Sequence, residues 1–141
     1  MAWRGRLLPY NYWLTDQSIS ELDPKEASIA TVSTEQEASY LRRALELAEQ
    51  GRGQVSPNPL VGAVIVSDGE VIGEGFHAQL GDLHAERAAI KDARARGADP
   101  AGSAIYVTLE PCAHEGRQPP CTEAILDAGI SRVVYASEDP T

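Results

Sequence analysis

The order of helical and strand patterns after residue 34 is the feature of this sequence that most constrains its fold. Apolar residues recur first at helical spacing, then in two strand-like runs, and then in alternating helical and strand-like stretches. Strands joined through helices pack as a largely parallel sheet covered by helices, and a hairpin adds an antiparallel edge. The sequence therefore predicts an α/β fold with a mixed sheet.

Local signals give the bounds of these elements. The first helix is predicted to begin at Thr34, because Thr34 and Glu37 match a capping box, and to end at Gly51 or Gly53. Two apolar runs separated by a Ser-Asp-Gly turn form the predicted hairpin. The elements after the first helix are predicted at residues 60–66 and 71–76 (hairpin strands), 84–96 (helix), 103–109 (strand), 121–128 (helix) and 130–136 (strand).

Residues 1–34 differ from the rest of the chain. They hold both tryptophans, Trp3 and Trp13, among polar residues and prolines, and they show neither helical nor strand periodicity. We therefore predict a mobile N-terminal extension of residues 1–34 followed by one domain of residues 35–141. Two hypotheses stay open besides that of a tail without a role. In the first, the aromatic residues dock on the domain or on a neighbouring subunit. In the second, the extension is not part of the functional protein.

The charge balance restricts the class of partner. The chain has 12 Lys and Arg against 21 Asp and Glu, which gives a net charge of −9. Nucleic-acid binding rests on a basic face that neutralises phosphates, so the sequence argues against nucleic acid and favours a small-molecule substrate. No apolar run approaches the roughly 20 residues of a membrane helix, and no secretory signal is evident. We therefore expect a cytoplasmic protein without a membrane span.

Three short segments carry residues with metal-binding chemistry. His84 and Glu86 lie at the start of a predicted helix, Cys112 follows a predicted strand, and Cys121 begins the next helix. One His and two Cys are three ligands of a tetrahedral zinc site with a position left for water, and helix N-termini favour deprotonated thiols. Glu86, two residues after His84, is placed to take a proton from that water and pass it to a leaving amine. The sequence thus predicts a catalytic zinc site.

Two plainer alternatives exist for these residues. A structural zinc site needs a fourth protein ligand, which His77 or His114 could supply. Cys112 and Cys121 could instead form a surface disulfide or stay as buried thiols. A stable disulfide is uncommon in a protein without export signals.

His-x-Glu followed by Pro-Cys and a second Cys is the signature of zinc-dependent nucleobase deaminases. In that signature two residues separate the cysteines, whereas eight residues separate Cys112 and Cys121 here. Further segments make the match specific. Over residues 36–140 the sequence resembles the riboflavin-biosynthesis pyrimidine deaminase, the deaminase half of a bifunctional deaminase/reductase. The resemblance implies a three-layer α/β/α cytidine-deaminase-like fold. The matching segments are 57–64 (PNPLVGAV), 73–77 (GEGFH), 84–86 (HAE), 108–121 (TLEPCAHEGRQPPC) and 128–134 (AGISRVV), with Asp139-Pro140.

The resemblance also implies a reaction. Water replaces the 2-amino group of 2,5-diamino-6-ribosylamino-4(3H)-pyrimidinone 5′-phosphate, which gives 5-amino-6-ribosylaminouracil 5′-phosphate and ammonia. Deamination of another nucleobase or nucleoside, and an inactive zinc-stabilised fragment, are the alternative functions. The implied roles are zinc ligation by His84, Cys112 and Cys121, proton transfer by Glu86, pyrimidine binding by Asn58 and His77, and ribose-phosphate binding by His114, Arg117, Gln118 and Asp139. The plain alternatives are a turn at Asn58, strand-end packing of His77 and a solvent-facing Arg117.

Two departures from the family pattern affect these expectations. Gln118 stands where the family usually has Thr, which changes the reach of a hydrogen-bonding side chain toward the substrate. The chain ends at Thr141, where the family usually continues into a strand, a helix and a reductase domain, so we expect those elements to be absent. The last strand would then have an uncovered edge near Val133 and Tyr135, which favours unwanted pairing. The resemblance leaves a homo-oligomer open.

Overall fold

The structure, a computed structural model, describes residues 4–7, 10–14, 34–109, 111 and 121–137. The elements predicted from the sequence after residue 34 are all present, with small differences at their ends. The elements of the described residues are, in chain order, β1 (Arg4–Leu7), β2 (Tyr10–Leu14), α1 (Thr34–Glu49), β3 (Gly62–Ser67), β4 (Glu70–Phe76), α2 (Ala85–Ala95), β5 (Ala104–Leu109), α3 (Cys121–Asp127) and β6 (Arg132–Ser137).

These strands form one mixed sheet in the order β1-β2-β6-β5-β3-β4. β5 and β6 pair in parallel, whereas β3 pairs antiparallel with both β4 and β5. The predicted mixed sheet is confirmed, but the expectation that most of its strands pair in parallel is wrong, because β5 with β6 is the single parallel pairing among the described strands. β4 and β5 run in the same direction across α2, as a helical link requires, but β3 lies between them and makes both of its pairings antiparallel.

Helices cover both faces of the central strands, which confirms the three-layer α/β/α arrangement. Successive residues of a strand point to opposite faces, and here both faces are apolar and buried. Leu41, Ala44 and Leu47 of α1 cover one face. On the other face, α2 and α3 contribute Ala85, Ala89, Ile90, Ala93 and Ile125, which pack on Ala63, Ile65, Ile105, Val107, Val133 and Tyr135.

Glycines let the helices approach the sheet closely. A Cβ atom on Gly62 would overlap the carbonyl oxygen of Ala44 in α1. A Cβ atom on Gly75 would overlap the backbone nitrogen of Ala89 in α2. Backbone therefore packs on backbone at both contacts, because glycine leaves the space that a side chain would fill. The contact at Gly75 fixes the first turns of α2 against β4.

Two strands that the sequence does not predict lie within residues 1–34, the segment predicted as a mobile extension. β2 pairs antiparallel with β6 on one side and with β1 on the other. The edge of β6, expected to be uncovered, is therefore paired. Strands of four and five residues are too short to show a period, and the partner of β2 lies far along the chain. The boundary between extension and domain stays a prediction.

Among the described residues, no helix is both long enough and apolar enough to cross a bilayer.

Candidate active site

Two of the three predicted zinc ligands meet at the starts of two helices. His84 is the N-cap residue of α2 and is half-buried, while Cys121 is the first residue of α3 and is fully buried. The Nδ1 atom of His84 lies 3.3 Å from the Sγ atom of Cys121. The fold thus brings together an imidazole and a thiol that the sequence places in separate segments.

The distance from His84 Nδ1 to Cys121 Sγ is close to the distance between two ligand atoms of one zinc ion. Tetrahedral zinc with a nitrogen ligand at about 2.0–2.1 Å and a sulfur ligand at about 2.3 Å places the two ligand atoms about 3.5 Å apart. The observed 3.3 Å fits this arrangement. Among the residues that the structure describes, no group of three or more His, Cys, Asp and Glu is gathered for a metal ion. The third predicted ligand, Cys112, lies outside them, so the ligand set stays a prediction.

Glu86 lies in the first turn of α2, and its side chain is buried. Only 4% of the residue is exposed. A carboxylate in the first turn is favoured by the positive end of the helix dipole. This position places Glu86 beside His84 and within the protein rather than on the solvent-facing side of α2.

His77 forms a hydrogen-bond chain next to His84. Its Nδ1 atom lies 3.1 Å from the carbonyl oxygen of Leu83, which can only accept, so Nδ1 carries the proton. Its Nε2 atom lies 3.1 Å from Nδ2 of Asn58, so the Asn58 amide donates to an unprotonated nitrogen. The amide oxygen of Asn58 is then turned away from His77, where it can accept a hydrogen bond from another group.

The same contacts argue against His77 as a fourth zinc ligand. Both ring nitrogens of His77 take part in hydrogen bonds, so neither is directed at the His84–Cys121 pair. The two imidazole rings instead meet edge to face, with centroids 5.4 Å apart and planes at 83°. This geometry favours a role for His77 beside the candidate metal site rather than in its ligand shell.

The backbone carbonyl of Leu83 is a contributor to this site that sequence reasoning missed. It orients His77, yet any residue type at position 83 offers the same carbonyl, so no side-chain signal could have indicated it. The loop that carries Leu83 is tied to the segment after α1, because the N–H of Leu80 donates to the carbonyl of Gln54 at 3.0 Å.

The predicted ribose-phosphate contacts lie outside the described residues. They are His114, Arg117, Gln118 and Asp139. Pro111, which precedes Cys112 in the sequence, is described and is buried. The roles of these four residues and of Cys112 stay predictions.

A second buried polar cluster lies on the α1 face of the sheet. Glu37 of α1 forms an ion pair with Arg132 of β6, and their side chains are 5% and 8% exposed. The Nη1 atom of Arg132 donates to the Tyr106 hydroxyl at 3.4 Å. Burial raises the pKa of Tyr106 to about 12, so its hydroxyl stays protonated at neutral pH. Glu37, predicted as a capping-box residue, thus connects α1 to the sheet.

Known proteins share this region of the chain. A family model described as the cytidine and deoxycytidylate deaminase zinc-binding region matches residues 34–137. The riboflavin biosynthesis protein RibD of Escherichia coli (strain K12) is 50% identical over 105 residues, which is 74% of this chain and 28% of that protein. The riboflavin biosynthesis protein PYRD, chloroplastic, of Zea mays is 51% identical over 104 residues, which is 74% of this chain and 26% of that protein.

A solved structure agrees with these sequence matches. The crystal structure of a diaminohydroxyphosphoribosylaminopyrimidine deaminase/5-amino-6-(5-phosphoribosylamino)uracil reductase from Thermotoga maritima is 50% identical with a TM-score of 0.73. The match covers 76% of this chain and 31% of that chain. The chain thus spans less than a third of the length of these relatives. Because the family model matches from α1 through β6 and includes His84, Glu86 and Cys121, this chain belongs to the cytidine and deoxycytidylate deaminase family.

Proposed function

We propose that the chain is a zinc-dependent hydrolytic deaminase of riboflavin biosynthesis. Its substrate in this proposal is 2,5-diamino-6-ribosylamino-4(3H)-pyrimidinone 5′-phosphate, and its products are 5-amino-6-ribosylaminouracil 5′-phosphate and ammonia. The observation that carries the proposal is the 3.3 Å approach of His84 Nδ1 to Cys121 Sγ, with Glu86 buried in the adjoining helical turn. Relatives at about half identity, which are named riboflavin biosynthesis proteins, support the choice of pathway.

Three residues would hold the zinc ion in this proposal. His84 and Cys121 offer a nitrogen and a sulfur at a suitable separation, and Cys112 supplies the second sulfur. A bound zinc ion supplies a Lewis acid that lowers the pKa of a water molecule toward neutrality. The burial of Cys121 excludes bulk solvent from one side of the site.

Glu86 moves the proton that the reaction requires. The oxygen of a water molecule forms a bond to the ring carbon that carries the 2-amino group, and the Glu86 carboxylate accepts a proton from that water. Glu86 then donates this proton to the amino nitrogen as the carbon–nitrogen bond breaks, and ammonia leaves. A single carboxylate thus serves first as general base and then as general acid.

Asn58 and His77 would bind the pyrimidine ring. The Leu83 carbonyl orients His77, and the unprotonated Nε2 of His77 accepts a hydrogen bond from the Asn58 amide nitrogen. The Asn58 oxygen is then left as an acceptor for an N–H group of the ring. His114, Arg117, Gln118 and Asp139 would contact the ribose phosphate, with the Arg117 guanidinium as the phosphate-binding cation.

Ammonia release from the named substrate tests this proposal, with zinc content measured on the same preparation. We expect turnover in a sample that holds about one zinc ion per chain, and much weaker turnover of the compound without its 5′-phosphate. A folded, zinc-loaded chain that deaminates cytidine or deoxycytidylate but not the diaminopyrimidine would contradict the proposed substrate. A zinc-loaded chain that deaminates none of these compounds would contradict the proposed activity.

A further inference from the structure

The outer edge of β6 is a place where an added strand could attach to the sheet. β6 pairs with β5 on one side, and its residues 133–135 are buried between the helical layers, with exposed fractions of 0–2%. Val133, Val134 and Tyr135 are β-branched or aromatic residues, which favour strand pairing. Without a partner on the other side, β6 would present unpaired backbone groups on an apolar strand, which is a template for association with another chain.

β2 supplies the partner from the same chain. Four consecutive residues of β2 face four of β6 in an antiparallel register, so the outward backbone groups along most of β6 are covered. The pairs are Asn11 with Tyr135, Tyr12 with Val134, Trp13 with Val133 and Leu14 with Arg132. β1 pairs in turn with β2 and becomes the outer strand.

β1 has the sequence and register of a protected edge. It is four residues long, two of them are Arg4 and Arg6, and its register with β2 shifts between these two arginines. Short, charged and irregular edge strands discourage further pairing, whereas β6 is longer and apolar. We call β1 and β2 the N-terminal strand pair. Because this pair covers β6, the outer edge of the sheet is β1, which discourages association, and not β6, which favours it.

The N-terminal strand pair precedes the region shared with the family, because the family match begins at residue 34. Its effect on β6 is therefore separate from the proposed catalytic function. We propose that the N-terminal strand pair is an intramolecular cap that keeps the edge of β6 from pairing with β6 of a second copy of the chain.

The full-length chain carrying both Tyr12→Pro and Trp13→Pro tests this proposal. Neighbouring residues of a strand direct their N–H groups to opposite sides, so one of the two prolines removes an N–H that faces β6. By light scattering, we expect the molar mass to rise toward twice that of the parent as concentration increases. In dilute samples, alternate amides of β6 should exchange at least roughly tenfold faster, while the intervening amides, which pair with β5, stay protected.

The matched control carries Tyr12→Thr and Trp13→Thr. It removes the same aromatic rings but keeps both N–H groups and a residue type that favours strands, so its mass and exchange rates should equal those of the parent. If the proline variant matched the parent in both measurements, the cap would be refuted.

Amide exchange of the unmodified chain decides the case where the proline variant does not fold. The proposal requires protection of the amides of residues 10–14 and of every second amide along β6 beyond those paired with β5. Exchange of residues 10–14 within about tenfold of an unstructured peptide would overturn the proposal whatever the variants do.

Discussion

Two polar clusters lie on opposite faces of the sheet, and they are built in different ways. On the α1 face, Arg132 contacts both Glu37 and Tyr106, so the charges are compensated within this cluster, called the self-compensated cluster. At the starts of α2 and α3, His84 Nδ1 instead lies 3.3 Å from Cys121 Sγ, and Glu86 is buried in the same turn of α2 as His84. These three residues are called the candidate zinc cluster. The self-compensated cluster pairs its charges within the protein, whereas in the proposed function the candidate zinc cluster binds a metal ion.

The largest expected effect is a loss of turnover without a loss of zinc, at Glu86 of the candidate zinc cluster. Replacing Glu86→Gln keeps the size of the side chain but removes proton transfer, so we expect kcat to fall by about 10³-fold or more while zinc content is retained. The matched control is Glu123→Gln, which changes an exposed glutamate in the first turn of α3. Ammonia release and metal analysis measure both variants, and full activity of the Glu86→Gln protein would remove the proposed mechanism.

The opposite pattern is expected at the self-compensated cluster. Glu37→Leu leaves the buried Arg132 guanidinium without its carboxylate, which should lower the free energy of unfolding by about 3 kcal/mol with little change in kcat of the folded enzyme. Glu35→Leu, at an exposed position of the same helical turn, is the control and should be nearly neutral. Denaturant unfolding gives the stabilities. A Glu37→Leu protein of normal stability but lost turnover would reverse the roles assigned to the two clusters.

A smaller effect is expected at the hydrogen-bond chain beside His84. His77→Phe keeps a ring of similar size but removes the acceptor that orients Asn58, so kcat/KM should fall by roughly 10- to 100-fold. Asn58→Leu should cost a similar factor, and the double variant should lose little more, because the two residues act through one contact. Losses that multiply in the double variant would show that Asn58 and His77 act independently.

The smallest expected effect concerns an ion pair at the surface. A hydrogen bond from Arg43 holds the pKa of Glu74 below its usual value, so this pair stabilises the fold above the ordinary carboxyl pKa of about 4.3 and loses that effect as the pH falls through the lower, folded-state pKa. Glu74→Gln should therefore lower the free energy of unfolding at pH 7 by about 1 kcal/mol or less. At pH 2 the difference should vanish. Unfolding curves at the two pH values measure this, and an equal deficit at both would exclude the ion pair as its cause.

The two clusters also differ in how far the sequence predicts them. His84, Glu86 and Cys121 could be selected as candidates because residue type and position at a helix start together indicate ligand chemistry. The contact between Glu37 and Arg132 could not, because the local pattern around Glu37 indicates a helix cap and contains no information about a partner in β6. Local signals thus predict donor atoms more readily than non-local pairings.

The fold shows the same limit. Periodicity predicts the helices and strands after residue 34, since each repeats over enough residues to identify its type. It does not predict that β3 lies between β4 and β5, nor that β2 pairs with β6, because both depend on which strands meet across the sheet. The Leu83 carbonyl, a backbone group, is absent from any side-chain pattern.

X-ray absorption at the zinc edge of the purified full-length chain tests most directly whether His84 and Cys121 share one metal ion. We expect two sulfur ligands at about 2.3 Å and at least one nitrogen ligand at about 2.0–2.1 Å. Cys121→Ser should reduce the sulfur count to one. A zinc ion surrounded by nitrogen and oxygen alone, or a sulfur count that Cys121→Ser leaves unchanged, would contradict zinc binding by Cys121.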